Sequence, residues 1–345
     1  MQSQNAYMST TNSTPTSSSV RHVIFPGERR TEVRESAMPQ PAPGELLVQV
    51  LRTALCGSDT KLWNRGANHV PGHEIFGCVQ APGHALDGKR CLVYMPTHCG
   101  HCACCVAGDT QLCLTHSNLI GWNRDGGYAQ YLCVPENCLW TVPDDISDRL
   151  APLLLDTIGT SGHGIRLVQA LVPPTRTERV LILGAGPIGL GALLFLKAHG
   201  YQDIHISDPR SERLAAAQRL GAIPLAVDDE HLRFPFIIES SGAHAARNRA
   251  IVNVLPKGVV LLLGENDNPW MLEETKPVRR KDFFMVRSFY FPKSDFEVNT
   301  ALLRAYQAEY ATLVDAEVSL DDFATTFERF SRGELVKPLL APQQI

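Results

Sequence analysis

Three absences narrow what this chain of 345 residues can be. No charge of one sign dominates, because the formal net charge is only −4, and a nucleic-acid-binding surface would need a clear basic excess. Long unbroken apolar runs are also missing, since glycines and a proline interrupt the longest uncharged apolar stretch, Val180 to Leu196. That stretch is at the lower limit of length for spanning a bilayer. The sequence therefore predicts no nucleic-acid partner and no membrane span.

The first residues lack charge altogether. Residues 1–20 contain no charged side chain and no apolar core, and they are rich in Ser, Thr and Asn. This composition predicts a disordered tail and not a secretory leader. Without a leader we expect a cytoplasmic protein, in which cysteines stay as thiols.

Cysteine, in contrast, is concentrated in one segment. Four thiols follow the spacing C-x2-C-x2-C-x7-C, at Cys99, Cys102, Cys105 and Cys113. Two-residue gaps let one tight loop present successive thiolates to a tetrahedral zinc ion. A disulfide knot is the alternative, but it requires the oxidising compartment that a leader would indicate. The spacing predicts a zinc-binding lobe over residues 98–114.

The pattern of apolar residues changes along the chain. From about Glu45 to Trp140, short apolar runs alternate with Gly, Pro and Asp, which is typical of a β-rich domain. Later in the chain strands alternate with helices, as in a doubly wound parallel sheet. The sequence thus predicts an α/β protein with two domains. The predicted bounds are 21–150 for the first domain, 151–293 for the second and 294–345 for a return to the first.

A glycine motif opens the second domain. The run Gly184-Ala-Gly186-Pro187-Ile188-Gly189 follows an apolar strand and begins an apolar helix, which is the context of a dinucleotide-binding turn. The first glycine makes the turn, the second admits the pyrophosphate, and the third lets helix and strand approach. A glycine turn that only packs against its neighbours is the alternative interpretation.

Two residues near the end of the next strand bear on the cofactor. Asp208 lies where an acid bonds the adenosine ribose hydroxyls, and its charge would repel a 2′-phosphate. Arg210, two residues later, could instead accommodate that phosphate. These residues favour NAD, with NADP as the alternative.

A second set of possible metal ligands is scattered along the chain. Cys56 lies in Leu-Cys-Gly-Ser-Asp, His73 and Glu74 lie in Pro-Gly-His-Glu, and Asp156 lies in Leu-Leu-Leu-Asp-Thr. A catalytic zinc keeps about three protein ligands and leaves one position open. Taken singly, a lone Cys is usually a small core residue and a lone His is usually a satisfied polar group. The spacing of these residues alone does not show whether they bind a metal ion.

The order of these motifs resembles the medium-chain zinc-dependent alcohol and polyol dehydrogenases. The resemblance runs from about residue 40 to the C terminus and includes both cysteine motifs, the Gly-His-Glu triplet, Asp156 with His163, and the glycine motif. It implies a GroES-like catalytic domain joined to a Rossmann NAD-binding domain. It also implies a homodimer or homotetramer.

The resemblance implies a role for each matching residue. Cys56 and His73 would bind the catalytic zinc, and Asp156 stands where this family uses Cys, Glu or Asp as a further ligand. Glu74 would be a nearby carboxylate that displaces water or stays behind the ligands. Ser58 resembles the hydroxyl that relays the substrate proton.

The four thiols of the lobe would hold a structural zinc, giving two zinc ions per chain and leaving Cys104 as a spare thiol. Lys61 departs from the histidine of many polyol-type relatives, and it could also be a solvated surface lysine. We expect an oxidoreductase that transfers hydride between a secondary alcohol, polyol or sugar-like hydroxyl and NAD, with zinc acting as a Lewis acid.

Two other functions remain as alternatives. One is a zinc-free, NADPH-dependent enone or quinone reductase of the same superfamily, against which Cys56, His73 and Asp156 argue. The other is a zinc-ribbon binding protein, which the absence of Lys and Arg from residues 91–115 disfavours.

Overall fold

The computed structural model describes residues 19–172, 178–227, 229, 231–272 and 275–344. Most of the predicted disordered tail, residues 1–18, lies outside this described part of the chain. The prediction was wrong for Ser19 and Val20, which already belong to the first strand. Val20 is buried there and pairs with Ser36, and burial of an apolar side chain favours the strand.

The strands are short, and none of those described is longer than ten residues. In chain order they are β1 (Ser19–Gly27), β2 (Arg30–Ala37), β3 (Glu45–Ala54), β4 (Glu74–Gln80), β5 (Arg90–Val93), β6 (Tyr131–Pro135), β7 (Leu139–Thr141), β8 (Arg179–Leu183), β9 (Asp203–Ser207), β10 (Ile223–Pro224), β11 (Phe234–Glu239), β12 (Val254–Leu262), β13 (Phe284–Arg287), β14 (Glu317–Val318) and β15 (Leu339–Leu340).

The α-helices lie mostly in the second half of the chain. They are α1 (Thr60–Arg65), α2 (Ala103–Val106), α3 (Ser161–Leu171), α4 (Pro187–Ala198), α5 (Ser211–Arg219), α6 (His244–Asn253), α7 (Lys276–Arg279), α8 (Phe296–Ala305), α9 (Gln307–Ala311) and α10 (Phe323–Ser331). None of the described helices is long and apolar enough to cross a membrane.

The first half of the chain, together with the C-terminal strands β14 and β15, builds a mainly antiparallel sheet in the order β14-β15-β3-β4-β5-β7, with β6 also paired to β3. Val48 and Val50 in β3 are buried while the residue between them is not, as expected when alternate side chains face the core. The register places Ala54, at the end of β3, opposite both Glu74 in β4 and Leu339 in β15. The segments next to these residues therefore meet at one edge of the sheet.

The second half builds a parallel sheet in the order β10-β9-β8-β11-β12-β13. The central strands β8 and β11 are buried almost throughout, which is typical of a parallel sheet covered by helices on both faces. The chain winds outward from β8 in one direction and from β11 in the other, and ligands bind at such a switch point. The predicted combination of a β-rich part with a doubly wound parallel sheet is confirmed. The domain bounds at residues 150 and 293 stay predictions.

Candidate active site and zinc lobe

Three segments bring the candidate catalytic ligands together. Cys56 follows β3 and His73 precedes β4, so the β3–β4 register places both at one edge of the sheet. Asp156 begins a π-helical turn, Asp156–Thr160, that leads into α3. Donor atoms of these three residues and of Glu74 lie within 4.8 Å of one another. The structure thus places all four predicted ligands in one cluster.

Direct contacts join the side chains of this cluster. Cys56 Sγ lies 3.5 Å from Asp156 Oδ2, and His73 Nε2 lies 3.2 Å from the same oxygen. Burial raises the pKa of the Cys56 thiol. Burial would also raise the pKa of Asp156, but His73 facing it holds that pKa below its usual range. A buried set of sulfur, nitrogen and oxygen donors matches the ligand chemistry of zinc.

Asp59 lies beside the imidazole of His73. Asp59 Oδ1 lies 3.2 Å from His73 Nδ1, while Asp59 Oδ2 accepts hydrogen bonds from the Tyr128 hydroxyl and from the Cys56 main-chain N–H. A histidine whose Nδ1 faces a carboxylate presents the lone pair of Nε2 to a metal. Asp59 belongs to the same Cys-Gly-Ser-Asp motif as Cys56, but sequence reasoning assigned it no role.

Glu74 makes a different contact. Its Oε1 accepts a hydrogen bond from Lys337 Nζ, and both side chains are completely buried. Lys337 precedes β15, which pairs with β3 and so returns this lysine to the site. Burial acts to raise the pKa of Glu74, and the facing ammonium of Lys337 opposes that shift. Sequence reasoning missed Lys337, whose only signal is a lone charge in the apolar run Leu-Val-Lys-Pro-Leu-Leu.

Unpaired atoms test whether the cluster fits a metal ion. Asp156 Oδ1 and Glu74 Oε2 are buried and have no hydrogen-bond partner among the described residues. Burying an unpaired acceptor destabilises a protein by about 1–3 kcal/mol. A divalent cation would satisfy the Asp156 oxygen and offset the acidic groups gathered around His73. The residues present therefore fit zinc.

The four thiols of the lobe also converge. Cys99 Sγ lies 3.9 Å from Cys105 Sγ, and Cys102 Sγ lies 4.0 Å from Cys113 Sγ. A tetrahedron with Zn–S bonds of about 2.3 Å has sulfur–sulfur edges of about 3.8 Å, whereas a disulfide has about 2.05 Å. All ten cysteines are free thiols. The geometry fits zinc and contradicts the disulfide alternative.

Main-chain N–H groups face the lobe sulfurs. Cys113 Sγ accepts from the N–H groups of Cys99 and His116, each at 3.4 Å. Burial would raise the pKa of Cys113, but such donors lower it to about 5. Thiolate is the form that binds metal. Cys104, the predicted spare thiol, lies outside the four-sulfur set.

A cleft of about 500 Å³ connects the catalytic cluster with the glycine motif. This volume lies within the usual range for small-molecule sites. Cys56, His73 and Asp156 line one part of it, together with Ser58. The Ser58 hydroxyl donates a hydrogen bond to Cys56 Sγ at 3.2 Å.

The glycine motif forms a cradle at the other part of the cleft. Gly184 has a φ of +104°, which favours glycine, and a Cβ at Gly189 would lie 1.9 Å from the Gly184 carbonyl oxygen. A Cβ added at Gly186 would have one neighbour within 4 Å, the guanidinium of Arg213 at 3.8 Å. The backbone at Gly186 is therefore open to a ligand. Pro187 and Ile188 begin α4 and line the cleft. The cradle fits a dinucleotide pyrophosphate.

Asp208 and Arg210 also line the cleft. Asp208 directly follows β9, and its carboxylate accepts hydrogen bonds from the N–H groups of Ala185 at 2.8 Å and Arg210 at 2.9 Å. The acid is thereby fixed beside the glycine turn. The structure thus brings both predicted residues to the same end of the cleft as the glycines.

Lys61, which departs from the family pattern, lines the cleft, whereas His163 of the family resemblance lies outside it. Lys61 Nζ lies 2.7 Å from Asp267 and 3.5 Å from Glu265, so it bridges the cleft to the loop after β12 and is not a freely solvated lysine. His163 Nδ1 lies 3.0 Å from Asp295 Oδ2. His163 does not line the cleft.

Two family profiles match the chain. The Alcohol dehydrogenase GroES-like domain matches residues 42–144, and the Glucose dehydrogenase C-terminus matches residues 163–339, about half of the chain. The chain belongs to the medium-chain zinc-dependent alcohol and polyol dehydrogenases. This dehydrogenase is accordingly an NAD(P)-dependent oxidoreductase of alcohols or polyols. The predicted family and enzyme class are confirmed.

Named relatives agree with this assignment. L-threonine 3-dehydrogenase from Shewanella baltica is 29% identical over 331 residues, which cover 88% of this chain and 94% of that protein. Alcohol dehydrogenase TADH from Thermus sp. ATN1 has a TM-score of 0.84 at 27% identity, covering 94% of this chain and 100% of that one. Galactitol-1-phosphate dehydrogenase from Escherichia coli has a TM-score of 0.81 at 25% identity, with 93% and 100% covered.

Proposed function

We propose that the dehydrogenase oxidises a secondary alcohol, polyol or sugar-like hydroxyl at the cluster of Cys56, His73 and Asp156, with NAD as its cofactor. The observation that supports this most is one cleft that joins three converging metal-donor side chains, Cys56, His73 and Asp156, to a glycine cradle. When bound, zinc supplies a Lewis acid for the substrate oxygen and the dinucleotide supplies a hydride acceptor.

The chain's own residues orient the ligands and move the proton. Ser58 lines the cleft beside Cys56, so we assign its hydroxyl the transfer of the substrate proton outward. Asp59 keeps His73 in the orientation that presents Nε2. Lys337 balances the charge of Glu74, which makes Glu74 a carboxylate behind the three other donors.

The alternative functions explain fewer of these contacts. A zinc-free reductase has no use for a buried Cys, His and Asp whose donor atoms face one another. A zinc-ribbon binding protein would not need the cleft, and the alcohol dehydrogenase profile covers the whole lobe. We therefore propose two zinc ions per chain, one in each cluster.

The negative charge of Asp208 supports NAD over NADP. Its carboxylate is fixed beside the glycine turn, where a 2′-phosphate would meet it at close range. The positive charge of Arg210 would favour NADP instead. However, Arg210 contacts Asp208 through its main-chain N–H.

Exposed apolar residues on β13 support a homodimer, or a tetramer built from that dimer. β13 is the last strand of the parallel sheet in the described chain, and it exposes 50% of Phe284 and 47% of Met285. An apolar strand edge is a ready site for pairing with a second copy. The four thiols that the lobe must keep reduced support a cytoplasmic location.

Zinc content and turnover test the proposal together. We expect two zinc ions per wild-type chain by elemental analysis, and one in Cys56→Ser with turnover of secondary alcohols lowered at least about a hundredfold. Cys78→Ser, outside both clusters, is the control and should keep both ions. Full turnover by Cys56→Ser would contradict the proposed catalytic site.

A further inference from the structure

The cleft contains a buried phenol with an unused hydrogen-bond donor. Tyr290 lines the cleft, is only 4% exposed, and its hydroxyl has no hydrogen-bond partner within the described part of the chain. The main-chain N–H of Met95 faces the phenol oxygen, but a donor cannot accept the phenol's own proton. The hydroxyl is therefore available to an acceptor that enters the cleft.

The backbone of Tyr290 is held in an uncommon conformation. Its φ is +51°, in the left-handed region that a bulky side chain rarely adopts. The ring packs against Phe291 and Tyr94, with centroids 4.7 and 5.3 Å away. Strained residues of this kind persist where packing fixes them, and they cluster at ligand sites.

An unpaired hydroxyl alone does not make a site. Tyr310 is also buried with an unpaired hydroxyl, but it does not line the cleft. Ser288 differs from Tyr310, because its unpaired, buried hydroxyl lines the same cleft as Tyr290. The segment after β13 thus gives the cleft two hydroxyls that no described residue pairs with.

Apolar side chains line the same region. Met95, Leu119 and Trp122 face the cleft, and the Trp122 ring centroid lies 6.0 Å from that of His73. Asp156 and Tyr290 line the same cleft, so the phenol and the zinc ligands share one region. A substrate at the catalytic cluster would meet both an apolar surface and a hydrogen-bond donor.

We propose that Tyr290 sets substrate specificity by donating a hydrogen bond to a second oxygen, on the carbon next to the reacting one. The substrate class is then a short vicinal diol, or in reverse its α-hydroxy ketone, with a hydrocarbon end against Met95, Leu119 and Trp122. Oxidation converts one alcohol carbon to a ketone, with hydride passing to NAD and a proton to solvent. The inference rests on the proposed dehydrogenase site.

A matched pair of alcohols tests this role. We expect the zinc-replete wild-type enzyme with NAD to show a higher kcat/KM for butane-2,3-diol than for butan-2-ol, each stereoisomer being assayed. Tyr290→Phe should lower that preference by about tenfold, since it removes only the hydroxyl. Tyr310→Phe removes an unpaired hydroxyl away from the cleft and should keep the wild-type preference. Because Phe retains the ring contacts, the melting temperature of Tyr290→Phe should not fall.

The outcomes separate this inference from the proposed function. An unchanged diol preference in Tyr290→Phe would overturn the inference, as would an equal loss in Tyr310→Phe. Turnover of butan-2-ol would still support the proposed dehydrogenase in either case. No turnover of either alcohol, with NAD or NADP, would instead overturn the proposed function and this inference with it.

Discussion

Lys337 and Glu74 are charged side chains removed completely from water at the edge of the catalytic cluster. The attraction between such partners roughly balances the loss of their hydration, so the pair as a whole adds little stability. Removal of one partner is different, because the other charge then stays buried alone. That loss is about 3–5 kcal/mol.

Substitution of Lys337 should therefore destabilise the enzyme strongly. We expect Lys337→Met to lower the free energy of unfolding by about 3–5 kcal/mol, measured by urea denaturation at a fixed zinc concentration. Adding Glu74→Gln to the same chain should restore much of the loss, because it removes the isolated charge. If the double variant is no more stable than Lys337→Met, the loss of stability does not come from an isolated buried charge.

Asp208 should control the choice of dinucleotide. We expect Asp208→Ala to shift the ratio of NADPH to NADH dissociation constants by about tenfold in favour of NADPH, measured by nicotinamide fluorescence. Asp208→Asn keeps one acceptor oxygen for a main-chain N–H and removes the negative charge, so it should shift the ratio in the same direction. If neither variant changes the ratio, the charge of Asp208 does not select NAD.

Residues could be predicted where a local motif carries the chemistry. Cys56, His73 and Asp156 were identified because their neighbours along the chain resemble a family pattern. Lys337 and Tyr290 could not be found in this way. The role of Lys337 depends on Glu74, 263 positions away, and that of Tyr290 on a cleft lined by segments far from it in the sequence, which no spacing rule connects.

Among the structural elements, the four-thiol lobe has almost no core of its own. It consists of a short helix, Ala103–Val106, and turns that join Cys99 to Cys113, and it exposes apolar residues such as Val106 and Leu114. Main-chain N–H groups directed at the sulfurs replace the usual packing. A bound ion would supply most of the stability of such a segment.

Loss of one lobe thiol should release one ion and loosen only this segment. We expect Cys105→Ser to bind one zinc per chain and to be cleaved between residues 99 and 113 in limited proteolysis. Cys104→Ser is the adjacent control, and it should keep two ions and resist cleavage. Equal zinc contents in the two variants would show that the four-sulfur set does not bind zinc.

Element type could be predicted from the sequence more readily than pairing. The runs Val180–Leu183 in β8 and Phe234–Ile238 in β11 are apolar, and the glycine motif marks the start of α4, so these elements follow from composition. The pairing of β3 with β15 does not follow from composition, since β15 has only two residues and lies far from β3 in the sequence. That pairing brings Lys337 to the site.

At the scale of the whole molecule, β13 exposes two apolar side chains at the end of the parallel sheet. We expect sedimentation to show a dimer or larger assembly at micromolar concentration, and Met285→Asp to convert it to monomers. Met271→Asp, at an exposed residue outside β13, should leave the assembly intact. A monomeric wild-type protein would contradict the proposed homodimer.

Glu74 and Lys337 are separated by 263 positions in the chain. A ribosome therefore makes every side chain of the catalytic cluster, and then the entire nucleotide-binding sheet, before it makes the lysine. Until β15 pairs with β3, the nascent protein holds the Glu74 carboxylate without its counter-charge. Translation thus supplies the metal-donor residues early and the counter-charge of Glu74 near its end.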